Sequence, residues 1–324
     1  MICTSHIKFL VLTIGIAVVT ATNGMCQQTV GLAMYSQFSG TYNPASIPNE
    51  YVRNEHQLVV KSMVQRQWSG LQSGPRTQII DVDYVAASDR TFNLLAGAYI
   101  INDRSGPISQ TGVYGRVGTI MSKYNPRWGG FSAGIEAGIV QSRVDRDRLQ
   151  EKYPNDILTL SNPSTISPSF GVGVSYYNHF TSGNFKGVHI NTGISVKQVG
   201  FGETMFEDAT NRFSLFLVPH TYLYGSIYKE LKYGRAIEFN TWVKHAAGAP
   251  VNVDLHLSYY INEVINLEVG ANSSGLGYFG MGLSFNGLGS NYSRLKISYS
   301  FNPSIMNTGA VLGNSHSLGL AYSL

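Results

Sequence analysis

The chain has 324 residues, with 23 Lys and Arg against 19 Asp and Glu, for a formal net charge of +4. Charged residues are only 13% of the chain, about half the ~25% of an ordinary soluble domain, and Gly (35) and Tyr (20) take their place. That balance excludes a disordered chain, which needs high charge and few aromatics, and gives no footing for nucleic acid or a strongly acidic partner.

Residues 1–26 read as an export signal. Lys8 is the only Lys or Arg before an uncharged apolar run, Phe9 to Ala21, and Gly24 and Cys26 are small residues placed for cleavage after Cys26. The run is short for a transmembrane helix, which needs about 20 residues. Cleavage there removes Cys3 and Cys26, the only two cysteines, so no disulfide or thiol chemistry is expected of the mature chain. Residues 27–55 follow, long enough to fold inside a barrel as a plug or to stand below it as a periplasmic arm.

From residue 56 onward the chain alternates. Segments with period 2 occur at Gln57–Trp68, Arg76–Ala86, Thr91–Ile101, Ser109–Met121, Phe131–Arg143, Pro168–His179, Val188–Gln198, His220–Leu231 and Arg235–His245. The start of His220–Leu231 is ambiguous, because Phe213–Val218 also reads as an extra strand stub before Pro219. The pattern is clearest from Val251: Val251, Val253, Leu255, Leu257, Tyr259 and Ile261 alternate with Asn252, Asp254, His256, Ser258 and Tyr260. Four more such segments follow, at Ile265–Asn272, Phe279–Asn286, Arg294–Phe301 and Ser317–Leu324. One face is apolar and the other is Gly, Ser and Asn, in segments of about ten residues. That is the pattern of a transmembrane barrel. The expected fold is all-β, an antiparallel outer-membrane barrel of about fourteen strands over residues 56–324.

The connections agree. The two long ones, Val144–Ser167 with its charged run Asp145-Arg146-Asp147-Arg148, and Gly200–Pro219, follow the fifth and seventh strands and fall at one end. Alternate connections are mostly tight, such as Lys232-Tyr233-Gly234 and Asn262-Glu263. Long outer loops and short periplasmic turns suit a periplasmic N-terminus. Asp81 and Asp83, beside Ile80 and Val82, then point into the lumen, with Ser69–Pro75 as an outer loop.

Chemistry is sparse. Gly275-Leu276-Gly277-Tyr278-Phe279-Gly280 matches a dinucleotide pattern, but that motif needs a strand before it and a helix after it, and here it runs from a turn into a strand. His179, His189, His220, His245, His256 and His316 show no metal-ligand spacing. Asp254, His256 and Ser258 share a strand face, as any polar lumen allows, so an enzyme is not expected. Inward Arg116, Lys197, Arg294 and Lys296 are candidates for an ion-selective ring, or more simply partners of Glu136, Asp83 and Glu268. Trp68, Tyr124, Trp128, Tyr228 and Tyr233 read as interfacial girdle residues. No catalytic, cofactor or metal residue is singled out.

Tyr35-Ser36-Gln37-Phe38, Tyr42-Asn43-Pro44-Ala45, Arg66-Gln67-Trp68-Ser69-Gly70 and Gly74-Pro75-Arg76-Thr77-Gln78, with Pro168-Ser169-Phe170-Gly171-Val172-Gly173, resemble the PorP/SprF family over nearly the whole mature chain. The resemblance implies an outer-membrane component of the type IX secretion and gliding machinery that aids export or surface anchoring of a partner by protein–protein binding. It implies as partners a secreted surface protein or adhesin, periplasmic ring or motor components, and outer-membrane lipid. It carries no catalytic residue, no cofactor and no assigned partner-binding residue. A passive or substrate-specific porin is the rival reading.

Overall fold

The computed structural model describes residues 31–71, 73–86, 91–122, 128–145, 164–200, 203–207, 212–216, 218–288, 290, 292–305 and 313–324. The export signal, Tyr124 and the run Arg146–Arg148 lie outside these residues. Two short helices open the described chain, α1 (Ser39–Tyr42) and α2 (Asn49–Asn54). The strands that follow are β1 (Leu58–Arg66), β2 (Arg76–Ala86), β3 (Phe92–Ser105), β4 (Ile108–Met121), β5 (Gly129–Val144), β6 (Ser164–Phe180), β7 (Val188–Val199), β8 (Glu203–Glu207) and β9 (Arg212–Phe216). The last are β10 (His220–Glu230), β11 (Ala236–Ala246), β12 (Asn252–Tyr260), β13 (Ile265–Asn272), β14 (Gly277–Asn286), β15 (Arg294–Asn302) and β16 (Ser315–Ser323).

Among the described residues, fourteen strands close one barrel, every neighbour pair antiparallel, with β1 meeting β16 at the seam. Closure leaves no unpaired edge, which is what lets strands rather than helices cross lipid. No described helix is long and apolar enough to cross a membrane. We call the end that carries the β5–β6 and β7–β10 connections the outer end, and the opposite one the periplasmic end, following the loop-length asymmetry of such barrels.

Alternation does the sorting. Along β2, Thr77, Ile79, Asp81, Asp83 and Val85 are buried, while Gln78, Ile80 and Tyr84 face out. The outward band is apolar around the wall: Ile80, Ile100, Ile135, Val172, Ile194, Leu223, Leu255, Phe279 and Leu320 are all exposed. These side chains meet lipid, so their exposure is no defect.

Two connections depart from expectation. β5 runs to Val144 and β6 begins at Ser164, so the ladder carries on past the apolar band into what the sequence suggested was loop. Register pairs continue to Arg143↔Ser164, and Gln141 donates to Ser164 Oγ at 3.0 Å. Between β7 and β10, the connection forms a two-stranded antiparallel hairpin, β8–β9, a sheet separate from the barrel. The stub at Phe213–Val218 overlaps β9 and takes no part in the wall.

Candidate functional site

The lumen is filled by residues 31–54. Their course can be read from what they touch. The Gln65 amide, near the outer end of β1, donates to Gly31 O at 2.7 Å and accepts from Ala33 N at 2.9 Å. Further along, Arg53 pairs with Glu238 at 2.7 Å and donates to Tyr260 OH at 3.1 Å, both near the periplasmic end. The segment therefore runs down the lumen from its outer third and turns into β1 at the bottom, where His56 Nδ1 sits 2.6 Å from Ser323 Oγ.

Apolar packing holds its upper half. Tyr35, Phe38 and Tyr42 join Met63, Ile79, Tyr99, Tyr114, Tyr222, Tyr224 and Trp242 of the wall in one buried cluster. Trp242 is the hub. Its ring lies 5.1 Å from Tyr35, 4.6 Å from Tyr42 and 5.2 Å from Tyr224. Such aromatic pairs contribute roughly 0.5–1.5 kcal/mol each beyond area burial. A second cluster packs Ile47 and Tyr51 against Val85, Leu95, Ile120 and Tyr177.

The middle of the segment is held by polar side chains of the wall, which accept no lipid and find their partners in its backbone. Lys197 donates to Thr41 O, and Ser195 to Tyr42 O at 2.6 Å. Arg116 donates to Pro44 O at 3.1 Å and Ser46 O at 3.0 Å, and Ser132 to Ala45 O at 2.5 Å. Asn43 makes the turn possible. Its Oδ1 accepts from Ala45 N at 2.9 Å, the side-chain-to-backbone closure that favours Asn in turns, and its Nδ2 donates to Val174 O at 3.0 Å.

Glycines let the turn reach the wall. A Cβ on Gly134 would stand 2.5 Å from Pro44 O, one on Gly193 would stand 2.7 Å from Asn43 Nδ2, and one on Gly173 would collide with Asn43 Oδ1. Gly134, Gly173 and Gly193 sit on three neighbouring strands, β5, β6 and β7. Asn43-Pro44-Ala45 and the Gly171-Val172-Gly173 stretch, two separate motifs in the sequence, are thus one docking joint. Pro168, which has no N–H to give a ladder, lies just before a register shift between Phe170 and Val172.

The buried charges form a chain that ends on this joint. Lys61 lies 2.9 Å from Asp81 and 2.6 Å from Asp83, Asp83 pairs also with Arg116, and Arg116 reaches the carbonyls already named. Lys197 meets Glu136 at 2.8 Å and Tyr99 OH at 2.6 Å. The aspartates sit beside apolar neighbours in sequence because register, not local sequence, supplies their cations: Lys61 faces Asp81 across the β1–β2 ladder. Removing one partner of such a buried pair costs about 3–5 kcal/mol, since a charge is left behind without its counter-ion.

Other candidates fall differently. Arg294 donates to Glu263 O and Ser284 Oγ rather than to an acid, and Glu268 pairs with His256. Asp254 is engaged by Lys244 and His256 by Glu268, so the Asp254, His256 and Ser258 face is not wired as a relay. Gly275 occupies the β13–β14 turn with φ of 80°, and Gly277 and Gly280 lie in β14. Trp128 and Tyr233 are exposed as girdle residues would be. Tyr228 is a correction. It shares the inward parity of Tyr222 and Tyr224, and the Arg53 guanidinium lies over its ring at 4.0 Å. Above the segment remains an outward-facing cavity of about 110 Å³, walled by Tyr42, Tyr99, Tyr114 and Tyr222 with Lys197 and Asp103.

Comparison with known proteins follows this geometry. A family model described as type IX secretion system membrane protein PorP/SprF matches residues 24–322. No curated protein matches the chain. Among solved structures, the Ralstonia pickettii toluene transporter TbuX is similar over 89% of this chain and 93% of its own, with a TM-score of 0.54 at 9% identity. The CymD monoaromatic hydrocarbon channel is similar over 92% of this chain and 98% of its own, with a TM-score of 0.50 at 8% identity. At such identities the likeness shows a shared membrane-barrel fold and nothing about cargo.

Proposed function

The chain belongs to the PorP/SprF family of type IX secretion system membrane proteins, and from that membership we propose that it works by binding a secreted partner rather than by conducting solutes. Its place as a component of that system in the bacterial outer membrane follows from the family and the barrel together. The finer reading is that it aids export or surface anchoring of a partner protein, such as an adhesin, with periplasmic ring or motor components as further contacts. The observation that carries it is the filled lumen: residues 31–54 are packed and hydrogen-bonded to the wall from the outer third to the periplasmic end. A porin needs a continuous water path, whereas an anchor does not.

A non-enzymatic role is part of the same proposal. It is supported by the engagement of Asp254 with Lys244 and by His256 Nε2, which has no hydrogen-bond partner among the described residues and so does not meet the Ser258 hydroxyl. The channel reading draws on the fold likeness to TbuX and on the aromatic cavity at the outer end.

The test is affinity capture of the tagged full-length protein from detergent-solubilised outer membrane, with mass spectrometry of what co-purifies, alongside conductance in planar bilayers. Stoichiometric recovery of a large surface protein or of type IX ring components, with a silent bilayer, is expected. Recovery of the barrel alone with stable conductance would make it a porin.

A further inference from the structure

A second constellation lies at the periplasmic rim, apart from the joint that holds the segment. The β6–β7 ladder sets His179 opposite His189, and the β7–β10 ladder sets His189 opposite Tyr228. One step beyond, Glu230 N donates to Gly187 O at 2.8 Å, which brings the Glu230 side chain back over the same ladder. Alternation turns all three side chains, His179, His189 and Glu230, to the inner face of the rim.

Their geometry is tight. The two imidazoles stack with centroids 3.8 Å apart and planes 12° apart. His189 Nε2 lies 3.1 Å from Glu230 Oε1. One ligand-capable atom of each residue lies within 4.8 Å of the others. The Nδ1 atom of His189 is buried without a hydrogen-bond partner among the described residues.

A simple His–Glu pair accounts for one imidazole and leaves the second stacked on it without a side-chain hydrogen bond among the described residues. Protonating both would set like charges face to face. A divalent cation uses all three groups. Zinc held at 2.0–2.1 Å by nitrogen and carboxylate oxygen has ligand-to-ligand edges of roughly 3.3 Å, and the His189–Glu230 edge already has that size. The backbone positions come from three adjacent strands of a closed wall, so only side-chain rotations of His179 and of the exposed Glu230 remain. Arg53, which lies over the neighbouring Tyr228 ring, has its charge balanced by Glu238 at 2.7 Å. Two imidazoles select zinc-class metals over calcium or magnesium, which take oxygen ligands.

We propose that His179, His189 and Glu230 form a zinc-class metal site that staples β6, β7 and β10 at the periplasmic rim. Three protein ligands leave the fourth tetrahedral position open to water on the periplasmic side. The site is independent of the secretion role argued above and stands or falls separately.

The test uses the full-length protein in detergent, purified without a polyhistidine tag and stripped by a chelator, then titrated with zinc chloride by calorimetry. One zinc per chain is expected, with affinity weakened about tenfold or more in His189→Ala, since even residues that only orient metal ligands cost 10–100-fold when changed. His316→Ala, whose imidazole contacts Tyr299 OH at the outer end, should leave the affinity unchanged. Zinc-edge X-ray absorption of the wild-type protein needs no variant and should show two imidazoles and one carboxylate oxygen. No saturable zinc binding, unchanged binding in the His179→Ala/His189→Ala double variant while circular dichroism reports an intact barrel, or a zinc shell without two imidazoles would each overturn the proposal.

Discussion

Gly173 and Asn43 show how much rests on single atoms. Asn43 both closes its own turn and donates to Val174 O, and the space it needs is the missing side chain of Gly173. Gly173→Ala is therefore expected to destabilise the protein by about 1–3 kcal/mol, the usual cost of over-packing a close contact. Gly115 is the control, because a Cβ there meets nothing within 4 Å. Guanidinium unfolding in detergent should separate the two substitutions, and equal effects would mean that the turn does not dock at Gly173. Asp81 and Asp83 make a related point. Their inward parity was legible from alternation with Ile80 and Val82, and Arg116 was already a candidate partner of Asp83, but Lys61 was not and the pairing itself stayed open. Those partners come from ladder register and from a strand two places away, which no local pattern encodes.

At the scale of elements, strands and segment differ in how far they could be read. β2 was legible to the residue, because the Gly74-Pro75 turn and the alternating run fix both ends. The segment was not: plug and arm stayed open, since α1 and α2 are too short for helical periodicity and the aromatic residues of residues 31–54 face wall residues far away in sequence. Tyr228 was misread for a similar reason, the ambiguous start of β10 having left its parity unset. Two outcomes test the segment. Deleting residues 31–54 should give stable conductance in planar bilayers where the full chain is silent, and equal conductance of both would mean that the lumen is not filled in the membrane. The second outcome concerns Glu50 of α2. Burial opposes its charge, yet Arg294 and Lys296, with the amide of Asn54, hold its carboxyl below the usual carboxylate range. A lowered value in the folded state stabilises above the unfolded carboxyl value and is lost as pH falls through the folded one. Wild type and Glu50→Gln should thus differ in thermal stability at neutral pH and converge in acid. A gap that persists unchanged in acid would remove the charge from the explanation.

For the whole molecule, two solvents act on one sheet. Lipid requires the outward band, and the inward face is free to be aromatic, charged or glycine because a segment of the same chain lies against it. Ile135, exposed near the middle of β5, belongs to the band. Ile135→Arg should cost about 2–4 kcal/mol if it sits at the bilayer midplane, falling toward zero if it lies at an interface. Folding titrations into lipid vesicles measure that cost, and a value near zero would shift the membrane along the barrel. Barrel, strand number and end-to-end asymmetry were legible because they follow from alternation and loop length. The docking joint was visible as two motifs, but their meeting depends on three-dimensional closure.

The segment's attachment carries one more consequence. It continues through Glu55, held at φ of 65°, directly into β1, so its lower end is covalently tied to the wall it fills. A tether of so few residues makes re-entry into the lumen intramolecular, at an effective concentration on the order of millimolar. Dilution therefore cannot empty the barrel. Any peptide that enters the lumen from either side competes against a resident that never leaves the neighbourhood, and only one with contacts stronger than that local excess will take its place.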